Sequence, residues 1–145
     1  MDTNKTYIQS QNKENQWYII DAKNQNLGRL STEITTILLG KKNITYTPYT
    51  INKAYVIVTN SKLISVTGLK KEQKLYKRHS GRPGSLKVET LNELQERLPN
   101  RIIEQSVKGM LPKSPLGRQL FRQLKIYEHS QHPHKAQKPN AIILN

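Results

Sequence analysis

The chain has 145 residues, of which 24 are Lys or Arg and 10 are Asp or Glu, for a formal net charge of +14. Its length suits one domain with a modest core, zero cysteines exclude disulfides and cysteine-held zinc, and no apolar run reaches the roughly 20 residues that span a bilayer. So large an excess of cations is self-repelling unless a polyanion screens it, and with Trp17 and Phe121 the only residues of their types there is little to anchor a membrane helix, so nucleic acid is the expected partner.

Residues 1–16 are polar and read as a flexible arm, with neither the apolar stretch of a secretory signal nor the Arg-rich pattern of a transit peptide. Trp17 to Ala22 gathers bulky β-formers before a polar turn and predicts a strand. A helix follows Asn26, because Leu27, Leu30, Ile34, Ile37 and Leu38 fall on an apolar arc about 100° wide. Gly40 is placed to stop it, with Lys41 and Lys42 near the negative end of its dipole. Ala54 to Thr59 is a nearly continuous apolar run, as in strands buried on both faces of a parallel sheet. A shorter strand is expected over Leu63 to Val66. Strand, helix, strand in this order predicts an α/β crossover of right-handed sense.

Residues 68–87 differ in kind. Lys70, Lys71, Lys74, Lys77, Arg78, Arg82 and Lys87 face a single acid, Glu72, and Gly68, Gly81, Pro83 and Gly84 punctuate the stretch. Such a segment builds no core alone. It predicts an extended arm or hairpin that tracks phosphates and takes its order from the partner, with Tyr76 and His79 available to stack on unpaired bases.

Thr90-Leu91-Asn92-Glu93 is a capping box, with Leu91, Leu94 and Leu98 as the stripe of a helix that Pro99 ends. The next helix includes Ile102, Ile103 and Val107 and stops near Gly109. Glu93 and Glu96 share the first helix, but nothing nearby would raise one carboxyl pKa for acid–base work, so they read as a solvated pair.

Val107 to Arg118 then joins a helix stop, a rigid loop and a helix start. Pro112 biases Leu111 away from helical backbone, Ser114 can cap, and Pro115 suits the first helical position. Leu116, Gly117, Leu120, Phe121 and Leu124 would share one side of that helix, and Arg118, Arg122 and Lys125 the other. The tail brings His129, His132 and His134 close in sequence. A metal site would need them to converge, and Pro133 favours an extended loop, so contact with RNA beside Lys135 and Lys138 is the preferred reading. A nuclease using His79 with this cluster is the rival. Gly81-Arg82-Pro83-Gly84 lacks the spacing and lysine-serine ending of a phosphate-cradling loop, and no heptad, repeat or zinc-finger spacing occurs.

Together these blocks resemble one family. They are Trp17 to Ala22, Leu27-Gly28-Arg29-Leu30, Tyr46-Thr47-Pro48, Val66-Thr67-Gly68, Arg78-His79-Ser80-Gly81-Arg82-Pro83-Gly84, Val107 to Arg118, Leu124-Lys125-Ile126-Tyr127 and His132-Pro133-His134-Lys135-Ala136-Gln137. In this order, over roughly Trp17 to Gln137, the chain resembles the universal L-thirteen family of large-subunit ribosomal proteins in its bacterial and organellar form. The resemblance implies an α/β domain at 17–137, three-layer α/β/α around a small, largely parallel sheet, with basic loop and tail extensions and a C-terminal tail at 138–145. It implies a structural role without catalysis, cofactor, metal, membrane or small-molecule substrate. Its partners would be large-subunit ribosomal RNA, bound early in assembly, and neighbouring large-subunit proteins.

The family's RNA contacts map onto Lys70, Lys71, Lys74, Lys77, Arg78, His79, Arg82 and Lys87. A second set comprises Lys108, Lys113, Arg118, Arg122, Lys125, His132, His134, Lys135 and Lys138. One departure stands out: after Pro48, bacterial relatives usually carry His and then two Asp flanking a Gly, whereas this chain reads Tyr49-Thr50-Ile51-Asn52-Lys53-Ala54. The blocks around Gly81 and Pro133 resemble the cyanobacterial and plastid branch. With only four alanines and many Ile and Asn, the bias of an AT-rich genome, a plastid ribosome is the expected location and a bacterial cytoplasm the alternative. A free regulatory RNA-binding role is a further alternative.

Overall fold

In the computed structural model, which describes residues 14–143, the chain starts with strand β1 (Gln16–Asp21) and helix α1 (Leu27–Leu39). The expected arm, apart from residues 14–16, lies outside the described residues. Asn26 caps α1 by accepting the Gly28 N–H at 3.1 Å. Every apolar position of the expected arc is buried. Ser31 and Thr35 are buried with them because their hydroxyls donate to the carbonyls of Leu27 and Ser31, each at 2.7 Å. At the other end Gly40 takes φ 74°, and the Asn52 amide donates to the Ile37 carbonyl at 2.9 Å. A Cβ at Gly40 would meet Asn52 Cγ at 2.9 Å, so this helix end needs glycine for both reasons.

Strand β2 (Ala54–Thr59) is buried along almost its whole length. It lies parallel to β1 over six residue pairs, Gln16↔Ala54 to Asp21↔Thr59. The short strand expected at 63–66 does not form. Asn60, at φ 58°, turns the chain into a 3-10 turn at Ser61–Leu63, and only Ser65 bridges back, to Asn26. Next come a single helical turn, α2 (Lys70–Gln73), and two antiparallel strands, β3 (Leu75–Arg78) and β4 (Lys87–Thr90). Helix α3 (Leu91–Arg97) carries the expected capping box, with Thr90 and Glu93 bonding reciprocally. Leu91 and Leu94 are buried, but Leu98 is 47% exposed. Pro99 holds Leu98 out of helical backbone and then serves as the first residue of α4 (Pro99–Met110), so it starts a helix as well as ending one.

Helix α5 (Pro115–Arg122) ends before Leu124, which belongs with Lys125 to strand β5 (Leu124–Ile126) rather than to the helix. An inward strand residue and a helical stripe position coincide at Leu124, which is why periodicity alone placed both residues on the helix. Strand β6 (Asn140–Ala141), in the segment expected as a tail, pairs parallel with β1 at Tyr18 and Ile19.

The resulting sheet is parallel throughout, in the order β5-β2-β1-β6. The steps from β1 to β2 and from β2 to β5 run the same way, so connections of the usual hand lay their helices on one face. The packing agrees: α1 touches both α4 and α5. Ile20, Val56, Val58 and Leu124 meet Leu30, Ile34, Ile102, Ile103, Val107 and Leu120 there. The return from β5 to β6 passes β2 and β1 and so crosses the opposite face. On it Trp17 stacks on its register neighbour Tyr55, ring centroids 4.4 Å apart, and His134 of the returning segment sits 5.1 Å from Trp17. The expected α/β architecture is borne out, with a thin third layer whose helical piece among the described residues is a 3-10 turn, His134–Gln137. No helix among the described residues is long and apolar enough to cross a membrane.

Candidate nucleic-acid interface

The stretch from Lys70 to Lys87 folds back on itself. Lys70 and Lys71 lie on α2, Lys74 follows it, Lys77 and Arg78 lie on β3, His79 and Arg82 at the tip, and Lys87 on β4. All are exposed. The register sets Arg78 directly opposite Lys87. Like charges opposite one another destabilise a two-stranded ladder, so this arrangement calls for an external anion. Nearer the root Glu89, which lies opposite Tyr76, is balanced by Arg97 of α3, which reaches both its carboxylate oxygens at 2.6 and 2.8 Å.

Tyr76 departs from expectation. Its ring packs against the core with the Lys74 ammonium 5.4 Å from the centroid, and burial raises its phenol pKa. It anchors the hairpin and is not presented to bases. At the tip His79 Nδ1 accepts the Gly81 N–H at 2.9 Å, shaping the turn.

The second group is carried by α5 and the loop before it. Lys108 lies in the last turn of α4, where a cation suits the helix dipole. Leu111 is buried in extended backbone ahead of Pro112, and Lys113 is exposed. Ser114 caps α5, accepting the Gly117 N–H at 3.4 Å, and Pro115 opens it. Gly117 and Leu120 are buried, and Leu116 and Phe121 half-buried. Full burial of a leucine is worth about 2 kcal/mol, which fixes the helix's rotation and turns Arg118 and Arg122 outward. Gly117 is obligatory here, since a Cβ would overlap the Pro112 carbonyl oxygen and lie 2.8 Å from its carbon.

Lys125 belongs to neither cation face. It is half-buried on β5, and its charge acts on His134. His134 is held by the Tyr127 hydroxyl at 2.8 Å from Nε2, and its backbone N–H donates to His132 Nδ1 at 3.3 Å. Burial first, then His132 and Lys125, depress its pKa below that of an ordinary histidine. A ring whose protonation is disfavoured and which faces Trp17 is a packing element of the third layer. His132 is half-buried beside it, while Lys135 and Lys138 are exposed on and after the 3-10 turn. His129 takes part in none of these ring contacts, and among the described residues no three His, Cys, Asp or Glu side chains converge on a metal position.

Acids are distributed just as unevenly. Among the described residues the ion pairs are Lys42–Glu33, Lys62–Glu128, Arg97–Glu89 and Arg101–Glu104. None of the cations assigned from sequence to RNA appears in them. Sequence reading missed the Trp17–Tyr55 stack, whose only signal was the shared alternation of two strands. It also missed the surface of the loop at 41–53, where Ile44, Tyr46, Tyr49 and Ile51 are exposed.

The description of the family model that matches residues 15–133 is "Ribosomal protein L13". A large ribosomal subunit protein uL13c of Pyropia yezoensis is 62% identical over 97% of this chain and 99% of its own length. The uL13c of Gracilaria tenuistipitata var. liui is 59% identical over 96% and 97%. The uL13 of the Acaryochloris marina strain MBIC 11017 is 58% identical over 97% and 93%. With that extent of match and these interleaved blocks, the chain belongs to the ribosomal protein L13 family.

Proposed function

We propose that this chain is a structural constituent of the large ribosomal subunit, bound to large-subunit ribosomal RNA and seated among neighbouring ribosomal proteins. The observation that carries the reading is the division of its charges. Every ion pair among the described residues lies on the body, through Lys42, Lys62, Arg97 and Arg101, whereas the cations of the hairpin, of α5 and of the tail turn to solvent without an acid partner among those residues. Phosphates supply the missing counter-charge, and each one neutralised releases condensed counterions. The hairpin tracks backbone on one side of the RNA, and α5, locked to the core by Gly117, presents Arg118 and Arg122 to a second stretch. A protein joining two RNA segments in this way suits an early place in assembly.

The proposed location is a plastid ribosome, supported by the uL13c relatives from red algae, with a bacterial cytoplasm as the alternative. The role is structural and not catalytic. His134 is taken up by Tyr127 and Trp17, which leaves a histidine nuclease unsupported. The test is binding of purified large-subunit rRNA across a salt series. Log affinity should fall linearly with log salt. Arg78→Gln with Arg82→Gln, or Arg118→Gln with Arg122→Gln, should each flatten the slope by about 0.9 for every phosphate no longer neutralised. Slopes unchanged in both double variants would reject these two surfaces.

A further inference from the structure

Between α1 and β2 lies a loop that none of the assigned RNA contacts uses. Its neck is fixed: Asn52 donates to the Ile37 carbonyl, Asn43 donates to the Asn52 side chain at 3.4 Å, and the Gln16 N–H donates to the Lys53 carbonyl at 3.0 Å. Further out, the Tyr46 N–H donates to the Asn43 carbonyl at 3.1 Å, so the loop is turned and not extended. Beyond the neck Ile44 is fully exposed, Tyr49 62%, Ile51 47% and Tyr46 40%. Every other tyrosine among the described residues is at least half-buried, so these two are the ones whose rings reach solvent. No acid occurs anywhere from residue 34 to residue 71, while Lys41 and Lys53 flank the loop, exposed and outside the ion pairs of the described residues.

Aromatic and apolar side chains raised on a braced loop are costly in water and stand where something covers them. The charge decides what. Glu33 of α1 is already matched by Lys42 at 2.7 Å, so Lys41 and Lys53 are left in excess, and such a surface suits a polyanion and repels a basic protein like this one. Tyrosine offers a flat face at small entropic cost, and unpaired bases stack on such faces whatever their identity. We propose that the loop at 41–53 is a third contact with ribosomal RNA, in which Tyr46 and Tyr49 stack on unpaired bases while Lys41 and Lys53 meet the adjoining phosphates. This contact rests on the ribosomal RNA-binding reading above, but differs from the other two in kind, being made by rings more than by charge.

That difference gives the test. Purified large-subunit rRNA is titrated with the full chain, with Tyr46→Ala plus Tyr49→Ala, and with Tyr46→Phe plus Tyr49→Phe, over a salt series. The alanine pair should bind roughly tenfold more weakly with its salt slope unchanged, and the phenylalanine pair should bind as the wild type does. Thermal melting of all three chains checks the fold. Ultraviolet cross-linking of the unaltered chain to the same rRNA gives a readout that needs no variant, and nucleotide adducts are expected in the tryptic peptide 43–53. Wild-type affinity in the alanine pair, or adducts in the hairpin but none in 43–53, overturns the proposal. An alanine pair that binds rRNA normally yet is depleted from sedimented subunits means the loop meets a protein, and overturns it as well. A wild-type chain that fails to bind rRNA removes the broader reading, and this contact with it.

Discussion

Arg118 and Arg122 stand on the back of a helix whose front is in the core, whereas Arg78 and Lys87 face each other across a two-stranded ladder that stands away from it. In α5 a buried glycine, a serine cap and an opening proline fix backbone, rotation and register before any partner arrives. The hairpin has Tyr76 and the Glu89–Arg97 pair at its root, and toward its tip like charges and exposed Leu86 and Val88. One region is set by burial, while the other carries like charges facing one another near its tip. Binding an anion costs a helix fixed by burial little ordering, and a hairpin that stands on fewer buried contacts more, though it can follow an irregular backbone.

Breaking the rigid side should have the largest effect. Gly117→Ala forces a Cβ into the Pro112 carbonyl and is expected to cost about 3 kcal/mol. Urea denaturation would show it as a lower midpoint, and an unchanged midpoint would mean the junction is softer than its packing implies. Loosening the hairpin's root comes next. Thr90→Ala removes one arm of the capping box that joins β4 to α3 and should cost about 1 kcal/mol. Amide exchange in β3 and β4 should then quicken before that of α5, sharpening the contrast between the regions.

A smaller effect, of opposite sign, is expected from Lys87→Glu. Replacing the like-charge pair with Arg78 by an opposite-charge pair should stabilise the free ladder by about 0.5 kcal/mol. The same change should weaken rRNA binding, so that stability and affinity move apart. If both rise, the hairpin does not meet phosphate.

Smallest is the response of the tail, where a single half-exposed ring is concerned. The pKa of His134 is lower folded than unfolded, so between the two values the unfolded chain holds more protons. Its contribution to stability is therefore complete above about pH 6.5 and is lost as pH falls through the folded value. Emission of Trp17, the only tryptophan, should report the loosening in acid, and His134→Gln should flatten that response. A pH profile identical in the variant would contradict the placement of His134 on Trp17.

What was legible in the sequence was local. Ser114 before Pro115, Thr90 before Glu93 and the apolar run of Ala54–Thr59 each state their structure within a few residues, and each formed as expected. Errors arose where a distant partner decides. Leu124 satisfies a helical stripe and an inward strand position equally well, and only pairing with Val56 settles which. Tyr76 looked available for bases because α3 and the core against which it packs are not visible in residues 68–87. For the same reason the tail's sequence, which assigned His132 and His134 to RNA contact, does not show that His134 lies on Trp17 where the tail crosses the sheet, with His132 beside it.

Sedimentation of a native extract, with this chain located across the gradient at low and at high salt, tests the central claim most directly. The chain should travel with the large ribosomal subunit and stay there in high salt, because several RNA segments would have to release it together. Migration as a small free species at both salt concentrations would contradict that claim.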